Sequence, residues 1–306
     1  MKIKLHKLIH DMSSEEYHST PNSTSSSQLK DLLDDEDVFI KKYIEKSVEK
    51  EHIDAFDVGT YFHTGILEPH KLKKDCIVFP GKVRRGKEWE VFKAKHKGKA
   101  IVSEAQKTQA EGLVKAVKNS PIAQDYLIGK PEVSLFTEIH VCQGKIFAPF
   151  YNKMLTIDGW VDGTINNKRL PVYKTVIKVR ADMLGDNYVS DLKSTTGNAK
   201  SNFSMRQKIK YYNYDLSASL YLDMFSLLLP DVEDFYWIFA SKDMLNSRTY
   251  RASPANKYVG RAKYMRAIVK MADCAKNNWQ SVDYLDILEP LPEELEYLRE
   301  KDVDLL

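Results

Sequence analysis

The stretch Val176–Lys193, VIKVRADMLGDNYVSDLK, decides how this chain is read. In Val176–Asp182, strict alternation sends Ile177, Val179 and Ala181 to one face and Lys178, Arg180 and Asp182 to the other. The first face reads as core. In Tyr188–Lys193 the same rule groups Asp191 with Lys193 and sets Tyr188, Ser190 and Leu192 opposite them. With Asp186-Asn187 at the centre of a tight turn, the two runs form an antiparallel hairpin in which Asp182 lies directly across from Asp191. Directly opposed residues stand roughly 4.5–5.5 Å apart at Cβ. Carboxylates that close repel each other unless a cation sits between them, so the pair asks for a hard divalent ion, Mg²⁺ first. Lys193 shares the face and can orient a water, help deprotonate it, or neutralise charge on a phosphate.

Outward from the hairpin, EVSLFTEIHV and KIFAPFY add short β-rich runs between Glu132 and Lys193, and DFYWIFAS reads as a further strand. The remaining segments have helical spacing: Leu29–Ile44 capped by Ser26 or Ser27, Ala55–Leu67 stopped by Pro69, Trp89–Lys97, Ser103–Ser120, Ile209–Leu229 and Ala255–Trp279. The expected architecture is one α/β domain over 1–306. It has a mainly helical part over 1–125, a sheet core over 126–245 and a helical part over 246–306. On Ala55–Leu67 the residues Phe56, Gly59, Thr60, His63, Ile66 and Leu67 share a face expected to be buried, where the His63 imidazole needs a partner.

Composition adds little but excludes much. The net charge is only +3, from 46 Lys and Arg against 43 Asp and Glu, but the charge is uneven. Lys82–Lys99 carries eight basic residues against Glu88 and Glu90, whereas nine acidic residues follow from Asp283 onward against Arg299 and Lys301. Three separated cysteines, Cys76, Cys142 and Cys274, argue against a disulfide framework or a zinc site. No apolar run is long enough to span a bilayer, and the basic N-terminus lacks the features of a secretory signal, so the expected location is the cytoplasm. Gly81-x-x-x-x-Gly86-Lys87 mimics a phosphate-binding loop, but Glu88 replaces the hydroxyl residue that would serve magnesium. Arg84, Arg85 and Lys87, with Lys82, suit contacts to a DNA backbone better.

Taken in order, EEYHS, SSSQLKDL, GTYFHTGILEP, the basic stretch from Pro80, VRADML, SDLKSTT and YNYDLSASLY resemble the PD-(D/E)XK nuclease superfamily. Within it they resemble the RecE (exonuclease VIII) type of phage or prophage exonuclease, which is similar to phage lambda exonuclease. The resemblance implies a restriction-endonuclease-like core with a mixed central sheet flanked by helices. It implies metal bound by His63, Asp182, Asp191 and the Leu192 carbonyl, with Mg²⁺ replaceable by Mn²⁺. Lys193 would serve the attacking water, and Glu132, ahead of Glu138, would be the upstream acid. Arg180, Thr195, Tyr214 and Tyr221 join the expected DNA contacts. The implied reaction is 5′-to-3′ degradation of linear duplex DNA in the cytoplasm of a bacterial host, leaving 3′ single strands for a RecT-type annealing protein. A ring of three or four copies is implied as well. Three departures from the family pattern stand out. Ala181 replaces a proline, Ser217 replaces a glutamine four residues before Tyr221, and a long segment, 152–174, precedes the hairpin. In that segment Asp158 and Asp162 of DGWVDG imitate the first metal aspartate.

Overall fold

The computed structural model describes residues 4–48, 54–81, 83–167 and 169–280. Lys82 and the acidic stretch after Asp283 lie outside the described residues.

The principal elements follow one another along the chain in the order α1 (Ser26–Asp34), α2 (Asp54–Leu67), α3 (Lys87–Lys95), α4 (Glu104–Lys118), β1 (Lys130–Cys142), β2 (Lys145–Ala148), β3 (Lys153–Thr156) and β4 (Gly159–Asp162). Then come β5 (Tyr173–Leu184), β6 (Tyr188–Thr195), α5 (Asn202–Tyr211), α6 (Tyr214–Ser226), β7 (Asp234–Ser241), β8 (Ser247–Arg251) and α7 (Pro254–Lys276). The strands form one mixed sheet in the order β8-β7-β6-β5-β1-β2-β3-β4. Only β6 and β7 pair in parallel along this path, and α5 and α6 supply the crossover that a parallel connection needs. Two short segments, Leu8–Ile9 and Ser23–Thr24, attach to β1 and β5, and Cys76–Val78 pairs in parallel with Ala100–Val102 apart from the main sheet.

Both faces of the sheet are covered, and β7 shows why. Its odd residues Phe235, Trp237 and Phe239 join the cluster built from α1, α6 and α7, with Leu29, Leu216, Leu220, Tyr264 and Ile268. Its even residues Ile238 and Ala240 join Met183 and Leu192 under α2 and α4, against Phe62, Leu113 and Val117. A strand buried on both faces reads as a continuous apolar run, as DFYWIFAS does.

Several helices differ from the sequence expectation. The first is capped by Ser25, whose N–H donates to Gln28 Oε1 at 2.8 Å, and it stops at Asp35. There Asp35 Oδ1 takes the Val38 N–H at 3.0 Å and caps a new start, so the expected single helix is broken at Asp35 and resumes as short helical turns over Glu36–Phe39 and Ile40–Ile44. The helix expected over 209–229 is two helices, because Asn213 adopts the left-handed conformation (φ 48°) between α5 and α6. On α2 the buried residues are Asp57, Val58, Tyr61, Phe62, Gly65 and Leu67, whereas Thr60 is exposed and Gly59, His63 and Ile66 are half-buried. The helix is therefore rotated from the stripe expected through Gly59 and Thr60. Gly65, where a Cβ would come 2.9 Å from Val114, is the residue that lets α4 approach. The last strand, β8, falls in the stretch expected to be helical, and the long insertion over 152–174 is the β3–β4 extension of the sheet.

Candidate active site

The hairpin β5–β6 turns on Asp186-Asn187, with Gly185 N–H donating to the Tyr188 carbonyl at 2.9 Å. Val189 pairs with Leu184 and Ser190 with Met183, a register that brings Asp191 level with Asp182. There the two strands part. The Leu192 N–H is taken by the Asp182 carboxylate, Oδ2 at 2.7 Å, in place of a backbone carbonyl. This leaves a cleft between β5 and β6 with carboxylates on both lips.

Three elements converge on the cleft. From α2, His63 Nδ1 lies 3.4 Å from Asp182 Oδ2. From β1, Glu132 sits between the register pairs Pro131↔Met183 and Val133↔Ala181, with a left-handed backbone (φ 56°) that a glutamate rarely adopts. Strain of this kind costs on the order of 1–3 kcal/mol and marks positions where the fold aims a side chain. His63, Glu132 and Asp182 each offer a ligand atom, all within 4.8 Å of one another. Asp191 is outside that trio. Its Oδ2 holds the Lys193 ammonium at 2.5 Å, and Lys193 Nζ lies 3.5 Å from the Leu192 carbonyl. Glu138, the weaker candidate for the upstream acid, pairs instead with His140 at 2.9 Å. Asp162, the decoy, is on the opposite edge strand, exposed and paired with Lys153.

The electrostatics follow from crowding. Burial, then the neighbouring Asp182 charge, pushes the Glu132 carboxyl up to about 7 against the opposing pull of Arg180, its ion-pair partner. Burial likewise raises Asp191, against the pull of Lys193. Burial alone would lower Lys193, but the Asp191 and Asp182 carboxylates outweigh it, so the ammonium stays charged. Two carboxylates that repel each other beside an imidazole in a half-buried cleft are a donor set that fits a divalent cation.

The residues expected to contact DNA divide. Arg85 and Lys87 are exposed. Arg84 turns inward, 3.9 Å from Asp57 and 5.2 Å from the Trp89 ring centre, so it is engaged by the protein. Arg180 is held by Glu132, and Thr195 is buried with its hydroxyl on the Thr196 carbonyl. Tyr221 packs near Phe235, and burial pushes its hydroxyl up to about 12. Tyr214 lines the site, its ring centre 5.3 Å from Lys193 Nζ. Sequence reading missed Lys30, which approaches the same ring at 5.2 Å; burial and the Lys193 charge push it down to about 7. Its one signal is its place in SSSQLKDL, a stretch that reads as a helix start and as part of the family resemblance without singling out the lysine.

Residues 25–158 match a family described as a PDDEXK-like domain of unknown function (DUF3799). The matched part holds His63 and Glu132 and stops short of the hairpin. The chain is also similar to the crystal structure of a candidate exonuclease from Eubacterium rectale, with a TM-score of 0.55 over 90% of this chain and 96% of that one at 15% identity. That likeness shows a shared fold, which in this chain is a mixed sheet flanked by helices. The crystal structure of SSO0001 aligns over 88% of this chain and 84% of its own at 13% identity, with a TM-score of 0.34. No curated protein matches the sequence. Asp182 lies near the end of β5, and Asp191-Leu192-Lys193, a D-x-K triplet, lies on the following strand. Among the described residues, no helix is long and apolar enough to cross a membrane.

Proposed function

We propose that this chain is a divalent-metal-dependent nuclease acting on DNA, with Mg²⁺ as its ion. The observation that carries the reading is the convergence of His63, Glu132 and Asp182 within 4.8 Å, beside the Asp191–Lys193 pair. A divalent ion held by His63, Glu132 and Asp182 would supply Lewis-acid stabilisation of a phosphate and its leaving oxygen. The protein's own groups do the rest. Asp182 orients the His63 ring and anchors the Leu192 amide, which fixes the gap between the strands. Asp191 holds the Lys193 ammonium at the cleft, where it can position the attacking water and neutralise charge developing on the phosphate. Arg180 offsets the charge of Glu132, so a carboxylate can remain in a half-buried place.

The finer reading is an exonuclease on linear duplex ends, working 5′ to 3′ and leaving 3′ strands for a RecT-type annealing protein. It is supported by the ordered RecE-type motifs and by the description of the Eubacterium rectale neighbour as a candidate exonuclease. A ring of identical copies in a bacterial cytoplasm belongs to the same reading. The test is digestion of linear duplex DNA labelled separately at its 5′ and 3′ ends, with Mg²⁺ or EDTA, beside a closed circle. Mg²⁺-dependent loss of the 5′-labelled strand with an intact circle supports the exonuclease; a nicked circle makes the enzyme an endonuclease. Full activity in Asp191→Ala and Lys193→Ala proteins would sink the assignment of the site.

A further inference from the structure

The helix that follows the D-x-K strand shows water an unusual face. Its inner side, Met205 and Ile209, is buried in the core. Its outer side carries Phe203, Arg206, Gln207, Lys210 and Tyr211, all exposed and spaced i, i+3, i+4, i+7 and i+8, one stripe of the helix. Phe203 is 73% exposed and Tyr211 78%, far beyond what a ring kept for packing would show. Two aromatic rings on one charged stripe mark an interaction surface more than scattered exposure does.

Two further observations specify the occupant. From Thr196 to Tyr214 the chain carries Lys200, Arg206, Lys208 and Lys210 and no Asp or Glu, in a protein with 43 acidic residues among 306. The surface is therefore built for an anion. The aromatic stripe also connects to the active site through touching rings. Tyr211 meets Tyr212 edge-on at 4.9 Å, Tyr212 stacks on Tyr214 at 5.4 Å, and Tyr214 faces Lys193. Stacking rings joined to phosphate-neutralising cations are the means by which proteins hold unpaired strands without reading sequence.

We propose that the outer face of α5 is a track for single-stranded DNA, leading to or from the cleft, with bases stacking on Phe203 and Tyr211 and phosphates paired with Arg206 and Lys210. This rests on the nuclease reading for its purpose, but not for its measurement. Binding is read in EDTA by the anisotropy of a fluorescein-labelled oligo-dT, where no cleavage occurs, and cleavage of a short duplex in Mg²⁺ is assayed apart. A failure of one reading therefore leaves the other standing.

The expected result is roughly tenfold weaker oligo-dT binding for each ring removed, in Phe203→Ala and Tyr211→Ala. Phe203→Trp restores affinity, and its added indole emission is quenched by the oligonucleotide. Arg206→Gln with Lys210→Gln lowers the slope of log affinity against log salt by about 1.4, two single-strand phosphate contacts' worth. All substituted positions are exposed, and circular dichroism checks that the variants fold. Unchanged affinity in the ring variants, or no binding by the wild-type protein, overturns the proposal. So does a ring variant that loses self-association in light scattering while binding oligo-dT normally, which would make the face a contact between copies.

Discussion

If Glu132 is raised to about 7 by burial and by Asp182, the metal-free protein should be destabilised by its own active site as pH rises. The carboxyl titrates near 4.5 when unfolded and near 7 when folded, so between those values the folded state holds a proton that the unfolded state has lost. Stability attributable to this group is then full below about pH 4.5, falls through the window, and is lost above pH 7. At 1.36 kcal/mol per pKa unit the difference is about 3 kcal/mol, which for a chain of this size is about 6 °C in melting temperature. The perturbation is Glu132→Gln, which removes the charge and keeps the shape. Wild type and variant are melted from pH 4.5 to 8 in EDTA and in Mg²⁺. In EDTA the variant's melting temperature should rise relative to wild type by about 6 °C across the window. Mg²⁺ should restore the wild type at high pH and do little for the variant, because a ligand that binds only the folded state raises its apparent stability. A wild-type-to-variant difference that stays flat with pH in EDTA would refute the crowding argument. A Mg²⁺ response of equal size in both proteins would remove Glu132 from the metal site.

Other expectations concern the frame that holds the cleft. A Cβ added at Gly260 on α7 would come 2.0 Å from the Asp215 backbone carbonyl and 2.4 Å from Ser219 Oγ, so Gly260→Ala must push α6 and α7 apart. It should cost about 1–3 kcal/mol in urea unfolding; a neutral result would show that the helices slide freely. Asp223 is buried between a bidentate Arg261 at 2.7 Å and the Tyr264 hydroxyl at 2.5 Å, and Asp223→Ala, which strands a half-buried cation and a buried hydroxyl, should cost about 3–5 kcal/mol by the same assay. Asp182→Asn should weaken Mg²⁺-dependent stabilisation as well as cleavage, because the side chain serves both the ligand trio and the Leu192 amide. Loss of cleavage with an unchanged Mg²⁺ melting shift would take Asp182 out of the ion site.

The sheet was legible where one rule governed it. Period-two alternation with a two-residue turn is enough to predict that Asp182 faces Asp191, since slipping the register by one would put Ile177, Val179 and Ala181 in water. Helix boundaries were less legible because polar residues decided them locally: Asp35 capping Val38 and Asn213 in the left-handed region each broke a helix whose apolar spacing ran on. The face of α2 was misread for a different reason. Gly59 and Gly65 are six residues apart, and only the approach of Val114 shows which of them is the contact. Salt-bridge partners were the least legible. Nothing in a single sequence indicates that Arg84 turns to Asp57 while its neighbour Arg85 stays in water.

Glu132 ties these threads together. In sequence it is one glutamate near another, Glu138, six residues on along the same strand. Backbone pairing alone does not choose between them, since both belong to the long ladder with β5. What separates them is position along that ladder. Glu138 is opposite Val176, where β5 is flanked by other strands and its neighbour His140 takes the charge. Glu132 is opposite the point where β5 and β6 part, and its left-handed backbone kinks β1 at that same level. Parting strands on one side and a kink on the other leave room for something with several ligands that paired backbone would exclude. The fold's strain and its crowded carboxylates therefore fall at one place, and the catalytic reading rests on that coincidence more than on any single residue type.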